Sequence, residues 1–285
     1  MNQNKIIAVT GATGKQGGAV AKSLWEAGFQ VRALTRNPAS PMAAKLKQQG
    51  MEVIPADMED VESLKKSLDG AYGVFSVQNY WEKGVGYEGE IRQGKNLVDA
   101  AKSAGVGHFV QASVADAEKP EGVKHWECKA VLEEYIKEKQ LPFTFLGETF
   151  FMENFMAPKN GKMIFPFLSG ILKSNTRFHM VSVKDIGAVT AVVFQEPEKY
   201  IGKKVNIAGD CLTISEMKAV YNKVMPKKAP GYAIPAWLSN ILNREMVKQV
   251  KWNNDPGWQF DLSETKAVYP QLTSFEDFLK SQSAS

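Results

Sequence analysis

An apolar run that passes through spaced glycines directly into a helical pattern constrains this chain more than any other feature. Ile6-Ile7-Ala8-Val9 is continuously apolar, as a strand covered on both faces must be. It leads into "VTGATGKQGGAVAKSLWEAG", residues 9–28, where Gly11, Gly14 and Gly17 recur every third residue with Gly18 behind them. Residues 17–27 read as a helix with Val20, Leu24 and Ala27 on one face, ended by Gly28. In this context Gly11 permits the tight turn, Gly14 lets a pyrophosphate approach the backbone, and Gly17 lets the helix pack close to the strand. The free N–H groups and the dipole at the helix start favour a phosphate there. A P-loop is excluded, because Lys15 is followed by Gln16 rather than Ser or Thr.

The alternation continues. Short strands are predicted at residues 31–34, 51–54, 73–77, 108–111 and 143–146, and helices at about 41–49, 60–68, 88–104 and 125–139. Strand–helix order over about 146 residues predicts right-handed crossovers: an α/β fold, a Rossmann doubly wound parallel sheet. After about residue 147 the rhythm breaks. "FFMENFMAPKNGKMIFPFLSG" reads as an irregular, partly buried loop region, and strand–helix–strand resumes at about 177–208. "LTISEMKAVYNKVM" reads as a helix capped by Thr213 or Ser215, and "AIPAWLSNILNREMVKQV" as one further helix. The predicted division is a dinucleotide-binding domain at 1–148 and a smaller C-terminal α+β lobe at 149–285, with about 177–208 partly returning to the main sheet.

Of the 285 residues, 44% are hydrophobic, enough for a sizeable core. The balance of 35 basic against 31 acidic residues, with no long basic run, argues against direct nucleic-acid binding. No apolar run approaches membrane-spanning length, and the N-terminal apolar stretch is too short for a signal peptide. Cys128 and Cys211 read as two reduced thiols. The expectation is a soluble cytoplasmic protein, a monomer or homodimer, with no membrane partner.

An acid at the end of the second strand would bind the ribose of NAD, yet no acid occurs between Glu26 and Glu52. The strand ends "VRALTRNP", and the Arg36 guanidinium suits a 2′-phosphate, so NADP(H) is the expected cofactor. With "VTGATGKQGGAVAKSL", "VRALTRNP", "GMEVIPADMED", "GVFSVQNYWE", "GKNLVDAAKSAGVGHFVQAS", "FFMENF" and "MVSVKDIGAV", the chain resembles the NmrA-like family of atypical short-chain dehydrogenases/reductases, closest to its NADPH-sensing, redox-responsive branch. The resemblance implies a Rossmann domain binding NADP(H) and a lobe closing a cleft over the nicotinamide. It places Thr13 and Gln16 near the phosphates, Arg36 near the 2′-phosphate, and Asp57 and Met58 near the adenine. It places Gln78, Asn79 and Tyr80 near the ribose and nicotinamide. Ala39, Ser40 and Pro41 stand where close relatives often carry a second basic residue, which softens NADP selectivity.

Short-chain dehydrogenases protonate their substrate with Tyr-x-x-x-Lys on the helix after the fifth strand. Here that helix reads "KHWECKAVLEEY": no tyrosine precedes Lys129 in register, and His125 stands there instead. Ser113 matches the usual serine. Three readings stay open. Lys129 is a nicotinamide-ribose ligand, His125 and Lys129 are a proton-delivering pair if the protein is an enzyme, or this is a solvated helix face. His125 and Cys128 are too few for a metal site. Phe150, Phe151, Met152, Phe155 and Met156 read as an apolar substrate pocket, a partner surface or plain core, and Glu153 and Asn154 among them need partners if buried. The missing tyrosine favours a redox sensor, an NADP(H)-binding regulator acting through a protein partner. The alternative is an NADPH-dependent reductase of a quinone or other small apolar carbonyl, and a weaker third reading is a structural partner that binds nucleotide for stability.

Overall fold

The computed structural model describes residues 4–116, 122–156 and 161–283. Strands and helices alternate as β1 (Ile6–Val9), α1 (Lys15–Glu26), β2 (Gln30–Thr35), α2 (Pro41–Gln48), β3 (Glu52–Pro55), α3 (Val61–Leu68), β4 (Gly73–Ser76), α4 (Gly86–Ser103), β5 (His108–Val114), α5 (Lys124–Glu138) and β6 (Phe143–Glu148). Local chemistry sets these bounds. The Ser40 hydroxyl caps α2, accepting from Ala43 N, and the Asp60 carboxylate caps α3, accepting from Glu62 N and Ser63 N.

The rest comprises β7 (Phe150–Phe151), a 3₁₀ turn (Met152–Met156), α6 (Gly161–Ser169), β8 (Phe178–Val181), α7 (Val183–Gln195), α8 (Pro197–Tyr200), β9 (Lys203–Ile207), β10 (Asp210–Leu212) and α9 (Ile214–Val224). It ends with α10 (Ala236–Leu242), α11 (Arg244–Trp252), α12 (Leu262–Val268) and α13 (Phe275–Ser283). The long Phe/Met stretch is therefore less irregular than expected. Its apolar end winds into α6 despite Pro166, while residues 157–160 lie outside the described residues. The last long helix is split at Asn243, whose side chain caps α11 by accepting from Met246 N. Thr213, not Ser215, caps α9 in a capping box with Glu216.

The seven-stranded sheet runs β3-β2-β1-β4-β5-β6-β9, and every pairing is parallel. β5, one of its inner strands, is buried along all seven residues. A three-stranded sheet, β10-β8-β7, stands apart, with β8 parallel to β7 and antiparallel to β10. One face of the large sheet is covered by α1 and α7, through Val20, Leu24, Ile186, Val189 and Val193. The other is covered by α3, α4 and α5, through Leu64, Leu68, Leu97, Val98 and Ile136. Each fully buried Leu or Val contributes about 1.5–3 kcal/mol. A third cluster joins Met152, Phe155, Phe165, Phe178, Met217 and Phe275 under the small sheet. Cys128 and Cys211 are free thiols, and no described helix is long and apolar enough to cross a membrane.

Candidate functional site

Strand order reverses between β1 and β4, and the crevice beyond their carboxyl ends is where open α/β sheets bind ligands. The glycine corner forms its floor. Thr10 joins the two strand ends, its hydroxyl accepting from Val77 N at 2.8 Å. Gly11 takes φ +61°, a left-handed conformation that favours glycine, and a side chain there would press on Val77 Cγ1. A Cβ at Gly17 would collide with the Gly11 carbonyl and lie 2.7 Å from Thr10 O. Gly14 is the N-cap of α1, so no side chain blocks the first N–H groups, and no acid occupies the first turn. The corner thus offers room, free donors and no opposing charge, as a pyrophosphate requires.

A cavity of about 970 Å³ lies over this corner. Gly11, Thr13, Gly14, Gln16 and Gly17 line its middle. Arg36, Asn37 and Ser40 line one end above Leu34, Ala56, Asp57 and Met58, and Gln78 and Asn79 line the other. Every residue expected to hold the cofactor, apart from Tyr80 and Lys129, therefore borders one groove. Arg36 is not idle there: Nη2 meets Glu82 Oε1 at 2.7 Å.

The groove shares Gln16, Val77, Gln78, Asn79, Trp81 and Phe151 with a second cavity of about 510 Å³. Tyr80, Trp126, Phe150 and Trp258 form its apolar walls, and Met246, Gln249 and Val250 of α11 close it. Tyr80, His125 and Lys129 belong to this second pocket. Of the Phe/Met run, Phe150 and Phe151 reach the pocket, whereas Met152 and Phe155 are core. Glu153 accepts from Ser182 Oγ and Val183 N at the start of α7, and Asn154 lines the pocket. Trp258 reaches the cleft, its ring packed at a tilt against Trp126 and Trp252, while Trp237 is 68% exposed.

The solvated-face reading of α5 is wrong here. Lys129 is 6% exposed, and its ammonium meets Glu90 of α4 at 2.5 Å. Burial works to lower its pKa, but the attraction of Glu90 outweighs this and holds it above the ordinary lysine value. His125 does not pair with Lys129. Its Nδ1 faces Gln249 Nε2 at 3.2 Å, and its ring packs on Tyr80 and Trp81. Burial, reinforced by the Lys129 charge, pushes its pKa down to about 3, so it is a neutral imidazole and no charged proton source. Ser113 donates to Glu133 Oε1 at 2.5 Å, which occupies its proton. Burial raises Tyr80 to about 12.

Two carboxyl groups, one buried behind Lys129 and one lining the pocket, escaped the sequence reading. Glu90 sits among Gly89, Gln93, Gly94 and Leu97 on the buried side of α4, and an acid within that stripe was the available signal. Glu148 ends β6, is 7% exposed and lines the pocket, receiving a hydrogen bond from the Gln16 amide. No group of three or more His, Cys, Asp or Glu suited to a metal occurs among the described residues.

These features define a class: an α/β protein of dinucleotide-binding fold in which a groove over the glycine corner opens into a separate, largely apolar pocket. The chain belongs to the NmrA-like family, whose sequence profile matches residues 3–279. It is 32% identical over 256 residues to an NmrA-like family domain-containing oxidoreductase, hkm9, of Aspergillus hancockii, covering 82% of this chain and 76% of that protein. Its fold is shared with the NADPH-dependent quinone oxidoreductase QOR2 of Escherichia coli in complex with NADPH (TM-score 0.79, 23% identity, 97% and 99% of the two chains). It is shared as well with NmrA, a negative transcriptional regulator, in complex with NADP (TM-score 0.77, 19% identity, 98% and 95% of the two chains).

Proposed function

We propose that this protein is an NADPH-dependent oxidoreductase acting on a quinone or other small apolar carbonyl compound. The observation that carries the reading is the second pocket, about 510 Å³ of mostly apolar space contiguous with the dinucleotide groove. A protein that only sensed the cofactor has no need of a substrate-sized space beyond it. In this reading residues 1–148 hold NADP(H), and parts of 149–285, α11 above all, cover the pocket. Arg36 binds the 2′-phosphate, Thr13 to Gly17 the pyrophosphate, Asp57 and Met58 the adenine, and Gln78, Asn79 and Tyr80 the nicotinamide half. The dihydronicotinamide supplies a hydride when bound. Lys129, held by Glu90, orients the ribose beside it, and the aromatic walls exclude water and take up the apolar substrate.

Steady-state NADPH consumption against a panel of quinones and carbonyls, beside cofactor-binding measurements, tests this. Turnover with at least one apolar quinone or ketone is expected. Tight NADPH binding without turnover on any of them contradicts the reading. The redox-sensor reading would then take its place. It draws support from the missing tyrosine and from Arg36, whose ion pair with Glu82 is one that a 2′-phosphate would break. It requires NADPH to bind two arrangements of the protein unequally and a protein partner to distinguish them.

A further inference from the structure

The pocket is apolar on most sides, yet one buried acid faces into it without a structural task to explain it. Glu148 is 7% exposed at the end of β6. One carboxyl oxygen accepts from the side-chain amide of Gln16, and among the described residues nothing donates to the other. We propose that Glu148 is the oxygen-binding group of this pocket, donating its carboxyl O–H to a carbonyl oxygen of an uncharged, apolar quinone or ketone. The inference rests on the reductase reading and gives its substrate class a recognition element.

Each group packed around Glu148 bears on its protonation. From α1 comes Gln16, which is uncharged. From α5 comes Lys129, whose charge is balanced by Glu90 of α4 at 2.5 Å, and His125, which is neutral. The carboxyl therefore lacks a dedicated cation. Burial pushes its pKa up to about 8, against the smaller opposing effects of Lys129 and the Gln16 hydrogen bond. Near neutrality it carries its proton and is a donor. Two other donors lining the pocket are committed to protein partners. Ser113 donates to Glu133, and the Gln78 amide donates to Ser76 Oγ at 2.9 Å. The Asn79, Asn154 and Asn243 amides and the Tyr80 hydroxyl line the pocket as well; amides do not titrate, and Tyr80 keeps its proton far above neutrality, so none of them would give a pH dependence near neutrality. A neutral acid in an apolar pocket suits a ligand with an oxygen acceptor and no charge. Once ionised, it would set a carboxylate against that oxygen's lone pairs.

The test uses the whole protein, with tetramethyl-benzoquinone as probe and quenching of the pocket tryptophans Trp81, Trp126 and Trp258 as readout. Affinity is expected to fall on the order of tenfold between about pH 6.5 and about pH 9.5, the loss of one buried hydrogen bond. Tetramethylbenzene, which has no oxygen, should bind independently of pH. Glu148→Gln keeps a donor and should abolish the pH dependence, while Tyr80→Phe should retain it. If the glutamine variant fails to fold, the wild type supplies a second readout: quinone binding near pH 9 should take up a proton, seen as a buffer-dependent heat. Undetectable quinone binding, a flat wild-type profile, or an unchanged slope in Glu148→Gln overturns the proposal. Turnover with pH-independent binding contradicts the Glu148 assignment alone. Turnover-free but pH-dependent binding contradicts the reductase reading alone.

Discussion

Under the proposed function, Arg36 is the side chain that divides the two cofactors. Its guanidinium is held by Glu82 at 2.7 Å, but both groups are solvent-accessible, and such pairs stabilise by only about 0–1 kcal/mol. In that reading a 2′-phosphate, with more charge and bidentate geometry, would displace the carboxylate. Arg36→Ala should weaken NADPH binding about tenfold or more and change NADH binding about twofold at most. Glu82→Gln should tighten NADPH a few-fold and leave NADH alone, because it removes both a competitor and a like charge. Titrating both cofactors into both variants checks this, and equal NADPH and NADH affinities in the wild type would sink the assignment. Lys129 behaves differently. Removing it strands Glu90 in the interior, so Lys129→Ala should destabilise the fold by about 3–5 kcal/mol in denaturant unfolding. Adding Glu90→Gln should restore much of that loss. The lysine was legible in the sequence as the residue standing where short-chain dehydrogenases carry their lysine, with its role left open. Its partner was not, because Glu90 is 39 positions away and only the packing of α4 on α5 brings them together.

Elements whose own residues specify them were the legible ones. β1 announced itself as an apolar run and β2 to β6 as short strands between helical stretches, and Asp60 and Thr213 mark helix starts by the same hydrogen bonds that capping chemistry predicts. Elements decided by tertiary packing were not. Helix α6 forms around Pro166 because Ile164, Phe165 and Leu168 bury themselves against Met152 and Phe155, a gain that local propensity does not register. The break at Asn243 does carry a local signal, the side chain accepting from Met246 N, and it sets α11 against the pocket. The packing of α7 on α1 supplies a prediction at this scale. A Cβ at Gly187 would lie 2.6 Å from Ala19 O and 2.7 Å from Ser23 Oγ. Gly187→Ala should therefore push the helices apart and cost about 1–3 kcal/mol, read as a lowered urea midpoint with unchanged slope. An undiminished midpoint would mean that the two helices are less tightly joined than the geometry requires.

For the molecule as a whole, buried titratable groups tie stability to pH. His108 is fully buried in β5, with Nε2 facing Thr144 Oγ1 at 2.8 Å, and burial lowers its pKa to about 4. The unfolded chain therefore binds its proton first. The stability from the neutral ring is complete above about pH 6.5 and is lost as the pH falls toward about 4. Thermal unfolding should show that acid limb, to which His125 and His179 contribute in the same sense, and His108→Gln should make it shallower without removing it. The proposed function depends on one juxtaposition, the groove of the glycine corner opening into the pocket that holds Glu148 and Lys129. A crystal structure with NADP⁺ bound tests it most directly. The account predicts the 2′-phosphate at Arg36, the pyrophosphate along Thr13 to Gly17, and the nicotinamide facing the pocket between Gln78 and Glu148. A nicotinamide turned out to solvent, or a cofactor seated away from the glycine corner, would contradict it.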